Sequence, residues 1–304
     1  MSRPAPNRPL NPRRIGVIAM HTFTQLVRMK VFYFLGVFAL ILLASNLFNI
    51  QGLDRPNLEG VDVLRSIRSW SLGTMTLFSV VLGIVATALL LPKDVEDRTL
   101  YTILAKPVPR LDYLVGKLGG VLLLLLASLL VMDLLMTGVL AIRSHMVVEA
   151  QEASALNAGW PKDQIDALRT ETLRQGATWD LQGAVLLVFL RAVVVSSTAL
   201  MLSIISTSTL FTTITGFIVY FIGNFQDIAR DAYFKGDGTG PLERLAGLVV
   251  ATFFPNFQLY NVVDEVIAGQ VLTAADISGP LGMTAFYLVL HVFVSWLMFS
   301  KKEF

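Results

Sequence analysis

The sequence has no cysteine. That excludes disulfides, thiolate catalysis and cysteine-based zinc or iron–sulfur centres. Charge is also scarce. Asp, Glu, Lys and Arg make up 15% of the 304 residues, against about 25% in an average soluble protein. A globular surface cannot be covered with so few charges, so part of the surrounding solvent must be lipid. The net charge is only +2, which gives a nucleic-acid partner no electrostatic support. No G-x-x-x-x-G-K-[ST] phosphate loop is present; Gly116-Lys117 is followed by Leu118 and lacks the earlier glycine. No G-x-S-x-G nucleophile turn is present either.

What remains is apolar: 54% of the residues are hydrophobic. They concentrate in stretches nearly free of charge at 31–50, 70–91, 118–142 (interrupted by Asp133), 181–226 (interrupted by Arg191) and 278–300. The fourth is too long for one crossing, since a spanning helix needs about 20 residues. It is polar at Ser206-Thr207-Ser208-Thr209 and divides there. The sequence thus predicts an all-α, polytopic, single-domain chain over 1–304. Its six spans fall at about 31–50, 70–91, 118–142, 181–205, 208–226 and 279–300. The first of these is read as a membrane helix, because a cleaved leader has an apolar core of only about 7–15 residues. A seventh candidate, 246–263, turns polar after Phe254 and is read as an outer re-entrant helix pair before the last span.

Six spans put both ends of the chain on one side. Taking the N-terminus, 92–117 and the C-terminus as inside gives that side 13 Lys/Arg and 5 Asp/Glu, against 10 and 16 for the other loops. The excess of Lys/Arg on the inner side predicts N-in, C-in. Residues 13–30 form an amphipathic pattern: Ile15, Ile18, Ala19, Phe23 and Leu26 on one face, Arg14, His21, Gln25 and Arg28 opposite. Such a helix is expected to lie in the inner leaflet ahead of the first span. The outer segment 143–180 reads as a helical hairpin, with Gly159 ending one arm and Pro161 starting the next.

The loop after the second span carries the most information. It runs from acidic Asp94, Glu96 and Asp97 into a short helix over about 96–105, then to Lys106-Pro107-Val108-Pro109-Arg110 and Gly116-Lys117. Proline at 107 stops the helix and stiffens the turn. In this loop the chain resembles the type-2 ABC exporter permeases, whose first cytoplasmic loop has an acidic residue, a Thr-Leu helix, Lys-Pro-Val-(Ser/Pro)-Arg and a later Gly-Lys. Arg98 stands where that family usually has glycine. The amphipathic N-terminal helix, Phe254–Asn261 and the terminal Phe299–Phe304 extend the likeness.

The resemblance implies a membrane permease subunit of an ABC exporter in the cell's inner (plasma) membrane, multi-pass, with no ATPase site of its own. ATP would be bound by separate cytoplasmic ABC ATPase subunits, and a second permease subunit would complete a homo- or heterodimer in the lipid. The short loop helix would be the coupling helix, with Glu96, Thr99, Leu100, Ile103, Leu104, Lys106, Pro107 and Arg110 as ATPase-coupling residues. No catalytic residue, metal or cofactor is expected in the chain itself. Two other readings of the scaffold stand beside this one: an ion-gradient-driven secondary transporter, and an ATPase-driven membrane anchor or mechanical transducer without cargo. A secondary transporter is expected to show inverted repeats, and none is visible.

Two charges fall inside predicted spans. Counted from the outer helix ends, Asp133 and Arg191 come to similar depth, roughly 14–15 Å. An unpaired charge there is costly, so the two are expected to pair or to face a polar pathway. His145, Glu149 and Glu152 share one helix face and read as a solvated surface. His291 reads as a helix-packing residue. The hydroxyl-rich stretch 196–215 either lines a pathway or bonds to its own backbone.

Overall fold

The computed structural model describes residues 10–44, 60–96, 108–206, 208–226 and 254–301, with a few single positions between 228 and 248. Among these the chain is helical throughout, with no strand. The helices are α1 (Pro12–Val27), α2 (Lys30–Ala44), α3 (Val61–Glu96), α4 (Arg110–Asn157), α5 (Lys162–Arg174), α6 (Trp179–Ile205), α7 (Thr209–Asn224), α8 (Val262–Ile267) and α9 (Ala274–Lys301). A 3₁₀ turn, Phe257–Tyr260, precedes α8.

Four of the described helical stretches are long and apolar enough to cross a membrane: Val61–Leu90, Arg110–Asn157, Lys162–Ile205 and Ala274–Lys301. Thr209–Asn224 is apolar but shorter. The break between α6 and α7 falls at the polar Ser206–Thr209 stretch. Ile205 is the last residue of α6, and the side chain of Ser208 accepts a hydrogen bond from Phe211 N to cap α7.

α4 has 48 residues, which at 1.5 Å per residue is about 72 Å, more than twice a hydrocarbon core of about 30 Å. It runs unbroken through the predicted span 118–142 to Asn157, so the first arm of the predicted hairpin is a continuation of the spanning helix. Ala158 closes it, and Gly159 follows with φ +72°. The carbonyls of that end are taken by Ala158 N, Gly159 N and Trp160 N. Pro161 caps α5 from just outside the helix.

α6 is the central element. From Leu181 to Ile204 nearly every side chain is buried, as its all-round apolar sequence requires. α3 and α9 pack against it, and α4 packs against both α3 and α6. The other faces stay open. Leu130, Val131 and Leu134 on α4, Leu210, Phe211 and Ile214 on α7, and Phe286, Val289 and Phe293 on α9 are all exposed. A bundle in lipid presents such faces.

α1 lies along the first half of α4. Its predicted lipid-facing side is turned inward: Ala19 and Leu26 are buried, with Thr22 between them. Glycine makes this approach possible. A Cβ on Gly116 would come within 2.7 Å of Ile18 Cβ, and one on Gly120 within 2.5 Å of Thr22 Cβ and 2.7 Å of Ala19 O. Val17 and Met20, outside the predicted apolar face, are the exposed apolar residues of α1.

Candidate functional site

Three distant parts of the chain meet at one end of the bundle. Pro109 is the N-cap of α4, and Asp112 sits fully buried in its first turn. Its carboxylate is 2.9 Å from Arg14 Nη2 of α1 and also accepts from the backbone N–H of Leu10. An acidic group is favoured there by the helix dipole as well. Arg110 donates from Nη1 to Phe299 O and Ser300 O at 2.6 and 2.5 Å, and so satisfies carbonyls at the end of α9. Tyr113 stacks on Phe299 with ring centroids 5.9 Å apart. The start of the chain, the exit of the 92–117 loop and the last helix are therefore tied together.

Of the predicted coupling residues, the structure brings Arg110 into this junction, bound to α9. Glu96 is the last residue of α3 rather than the first of a separate helix. Thr99, Leu100, Ile103, Leu104, Lys106 and Pro107 lie outside the described residues.

Asp133 and Arg191 are not brought together. Gln182 Nε2 donates to Asp133 Oδ1 at 3.1 Å. Arg191 Nη2 donates to Phe257 O at 2.9 Å and to Asn261 Oδ1 at 2.7 Å, and the guanidinium lies 5.7 Å from the centre of the Tyr260 ring. The reason is rotation. Gln182, which meets Asp133, and Arg191 are nine residues apart on α6, about two and a half turns. They point to opposite sides of one helix. Depth differs as well: nine residues set Arg191 about 13–14 Å further along α6 than Gln182, the residue level with Asp133.

Arg191 belongs instead to a buried polar knot built on Phe254–Asn261. Asn256 accepts from Gln258 N at 2.9 Å, Gln258 Nε2 reaches Asn224 O at the end of α7, and Tyr260 Oη lies 2.6 Å from Thr284 Oγ1 on α9. Tyr287 Oη donates to Phe254 O at 3.1 Å. Phe257 is buried against Gly223, where a Cβ would come within 2.5 Å of both Phe257 Cδ2 and Pro255 O. The irregular backbone of this segment takes hydrogen bonds from Arg191 of α6, Gln226 beyond α7 and Tyr287 of α9, which is what permits non-helical chain inside a membrane bundle. Beside the knot, between α3, α6, α7 and α8, opens a cleft of about 380 Å³.

Sequence reasoning missed Arg68. By sequence it falls just ahead of the span predicted at 70–91, yet it is 1% exposed. It donates to Arg174 O at 2.9 Å, Gly176 O at 2.6 Å, Val266 O at 3.1 Å, Gln175 Oε1 at 3.1 Å and Thr178 Oγ1 at 3.3 Å. It therefore ties α3 to the α5–α6 turn and to α8. No local signal announces it, because every acceptor is more than a hundred residues away.

Four of the hydroxyls of 196–215 turn to their own backbone. Ser197 and Thr198 donate to Val194 O, Ser203 to Leu200 O and Thr213 to Thr209 O. His291 is buried, with Ser197 Oγ 2.9 Å from Nδ1, and so joins α9 to α6. On the hairpin, Glu152 Oε1 meets Arg169 Nη1 at 3.6 Å across the two arms.

Residues 23–157 match the family model described as ABC-2 family transporter protein. The match runs from the middle of α1 to the end of α4 and contains the whole 92–117 loop. A search of curated proteins finds no match. Residues 23–157 are thus similar to an ABC-2 transporter domain, and the resemblance drawn from the loop is to that family.

Proposed function

Starting from that domain, we propose that this chain is the membrane permease subunit of an ABC exporter, working with separate cytoplasmic ATPase subunits and a second permease subunit in the inner membrane. The observation that carries the reading is the family match over residues 23–157, because it covers the loop whose motif implies ATPase docking. Six spans with both ends inside accord with the junction of α1, Asp112, Arg110 and α9, since an even number of crossings returns the chain to the side it left. In this reading the loop segment over about 96–105 supplies the coupling helix. Nucleotide-driven closure of the ATPases pushes on it, and the push enters the bundle through the first turn of α4. There Arg110 and Asp112 pass it to α9 and α1.

The test is a double replacement, Leu100→Asp with Leu104→Asp, in the chain co-expressed with its ATPase. The expected result is loss of co-purification and of transport-stimulated ATP hydrolysis, with an unchanged melting curve for the permease. A double variant that still binds and stimulates the ATPase would remove the coupling role from this loop.

A further inference from the structure

Arg191 is 8% exposed, and no carboxylate among the described residues lies within ion-pair distance of it. Its two hydrogen bonds leave through Nη2 to neutral oxygens. Its buried Nε has no partner among the described residues. A buried cation held only by neutral acceptors is costly, and the unused N–H groups of a guanidinium can take an anionic oxygen of a carboxylate or phosphate. Arg191 also forms part of the wall of the 380 Å³ cleft, together with Thr76, apolar Leu72, Leu77 and Ile267, and the exposed carboxylate of Asp264. Such a wall offers one deep cation and an apolar bed.

We infer that this cleft binds an amphiphile through a single anionic group, a carboxylate or a phosphate, with Arg191 as the counter-ion and the apolar body against Leu77, Val263 and Ile267. The anionic group lies past Asp264, on the buried side, where Arg191 outweighs a carboxylate screened by solvent. As a statement about exported cargo, this rests on the permease reading. As a statement about binding, it concerns the chain alone.

The test uses the full chain in an uncharged detergent, without ATPase, and measures equilibrium binding of radiolabelled palmitate, its neutral methyl ester and dodecyl phosphate. A saturable site for palmitate or dodecyl phosphate is expected, with the ester at least about tenfold weaker, the equivalent of one charge-assisted contact. The tighter of the two anions identifies the headgroup. Arg191→Gln should weaken anion binding by about the same factor. Gly73→Leu supplies a variant that leaves Arg191 in place. Gly73 lines the cleft, and a Cβ added there meets nothing within 4 Å, so the new side chain fills the cleft and should abolish binding at an unchanged melting temperature. Ester binding as tight as acid, or a stably folded Gly73→Leu that binds normally, would overturn the proposal. Inorganic phosphate bound as tightly as dodecyl phosphate would show a free-anion site and overturn the apolar half. Failure here leaves the coupling-loop experiment untouched, and failure there leaves this binding result standing.

Discussion

The carboxylate of Asp112, fully buried in the first turn of α4, lies 2.9 Å from the guanidinium of Arg14 on α1. This ion pair joins α1 to α4. The same carboxylate takes the backbone N–H of Leu10, which leads into α1.

Asp112→Ala should therefore release the start of α1. It removes an ion pair of Arg14 and the acceptor of the Leu10 N–H, and a buried group left unsatisfied costs about 1–3 kcal/mol. A lowered melting temperature in detergent and faster protease cleavage within 10–28 are expected. Asp112→Asn keeps an acceptor and should fall between. Equal protease resistance in all three proteins would show that helix packing alone holds α1.

Adjacent glycines on α4 should respond in opposite directions. A Cβ on Gly119 meets only Ala19 Cβ at 3.5 Å, an ordinary contact. Gly119→Ala gains helix propensity of up to about 1 kcal/mol and should raise the melting temperature or leave it unchanged. Gly120→Ala drives a methyl to within 2.7 Å of the Ala19 carbonyl, and backbone cannot swing aside. It should lower the melting temperature and loosen α1. Small residues at crossings are how membrane helices approach closely, so a stabilised Gly120→Ala would contradict the α1–α4 packing.

Arg68 should be irreplaceable by lysine. Its planar fork reaches the Arg174, Gly176 and Val266 carbonyls together, whereas an ammonium is a compact point donor. Arg68→Lys and Arg68→Met should both expose the α5–α6 turn. Hydrogen exchange would rise across 174–178 and 262–267 while α9 stays protected. Full rescue by lysine would reduce Arg68 to a generic positive charge.

The parts of the structure that could be read in advance are those with local chemistry. The all-helical fold follows from apolar stretches of spanning length. The stop after Ile205 follows from Ser206–Thr209, and the stop at Gly159 from a residue that accepts positive φ. The contacts that depend on rotation about a helix axis were not legible. Asp133 and Arg191 come to equal depth only if the third span ends at Ile142, but α4 runs on to Asn157, and packing sets Gln182, two and a half turns from Arg191, against Asp133. Arg68 and the Phe254–Asn261 knot were hidden for a related reason. Their partners are remote in sequence, so nothing near Arg68 distinguishes it from the solvated Arg65.

The side of the membrane on which the loop lies can be decided without disturbing the bundle. The chain has no cysteine, so a single introduced one reports alone. Trp160 is exposed, beyond the far end of α4, and Lys106 precedes its start. The helix between them is about 72 Å long at 1.5 Å per residue, and its apolar middle must lie in a hydrocarbon layer of about 30 Å. The two positions then fall on opposite sides. In intact cells an impermeant maleimide should label Trp160→Cys at once and Lys106→Cys only after permeabilisation. The reverse pattern would place 92–117 outside and end its role in meeting a cytoplasmic ATPase. Labelling of both from one side would show that α4 does not cross at all.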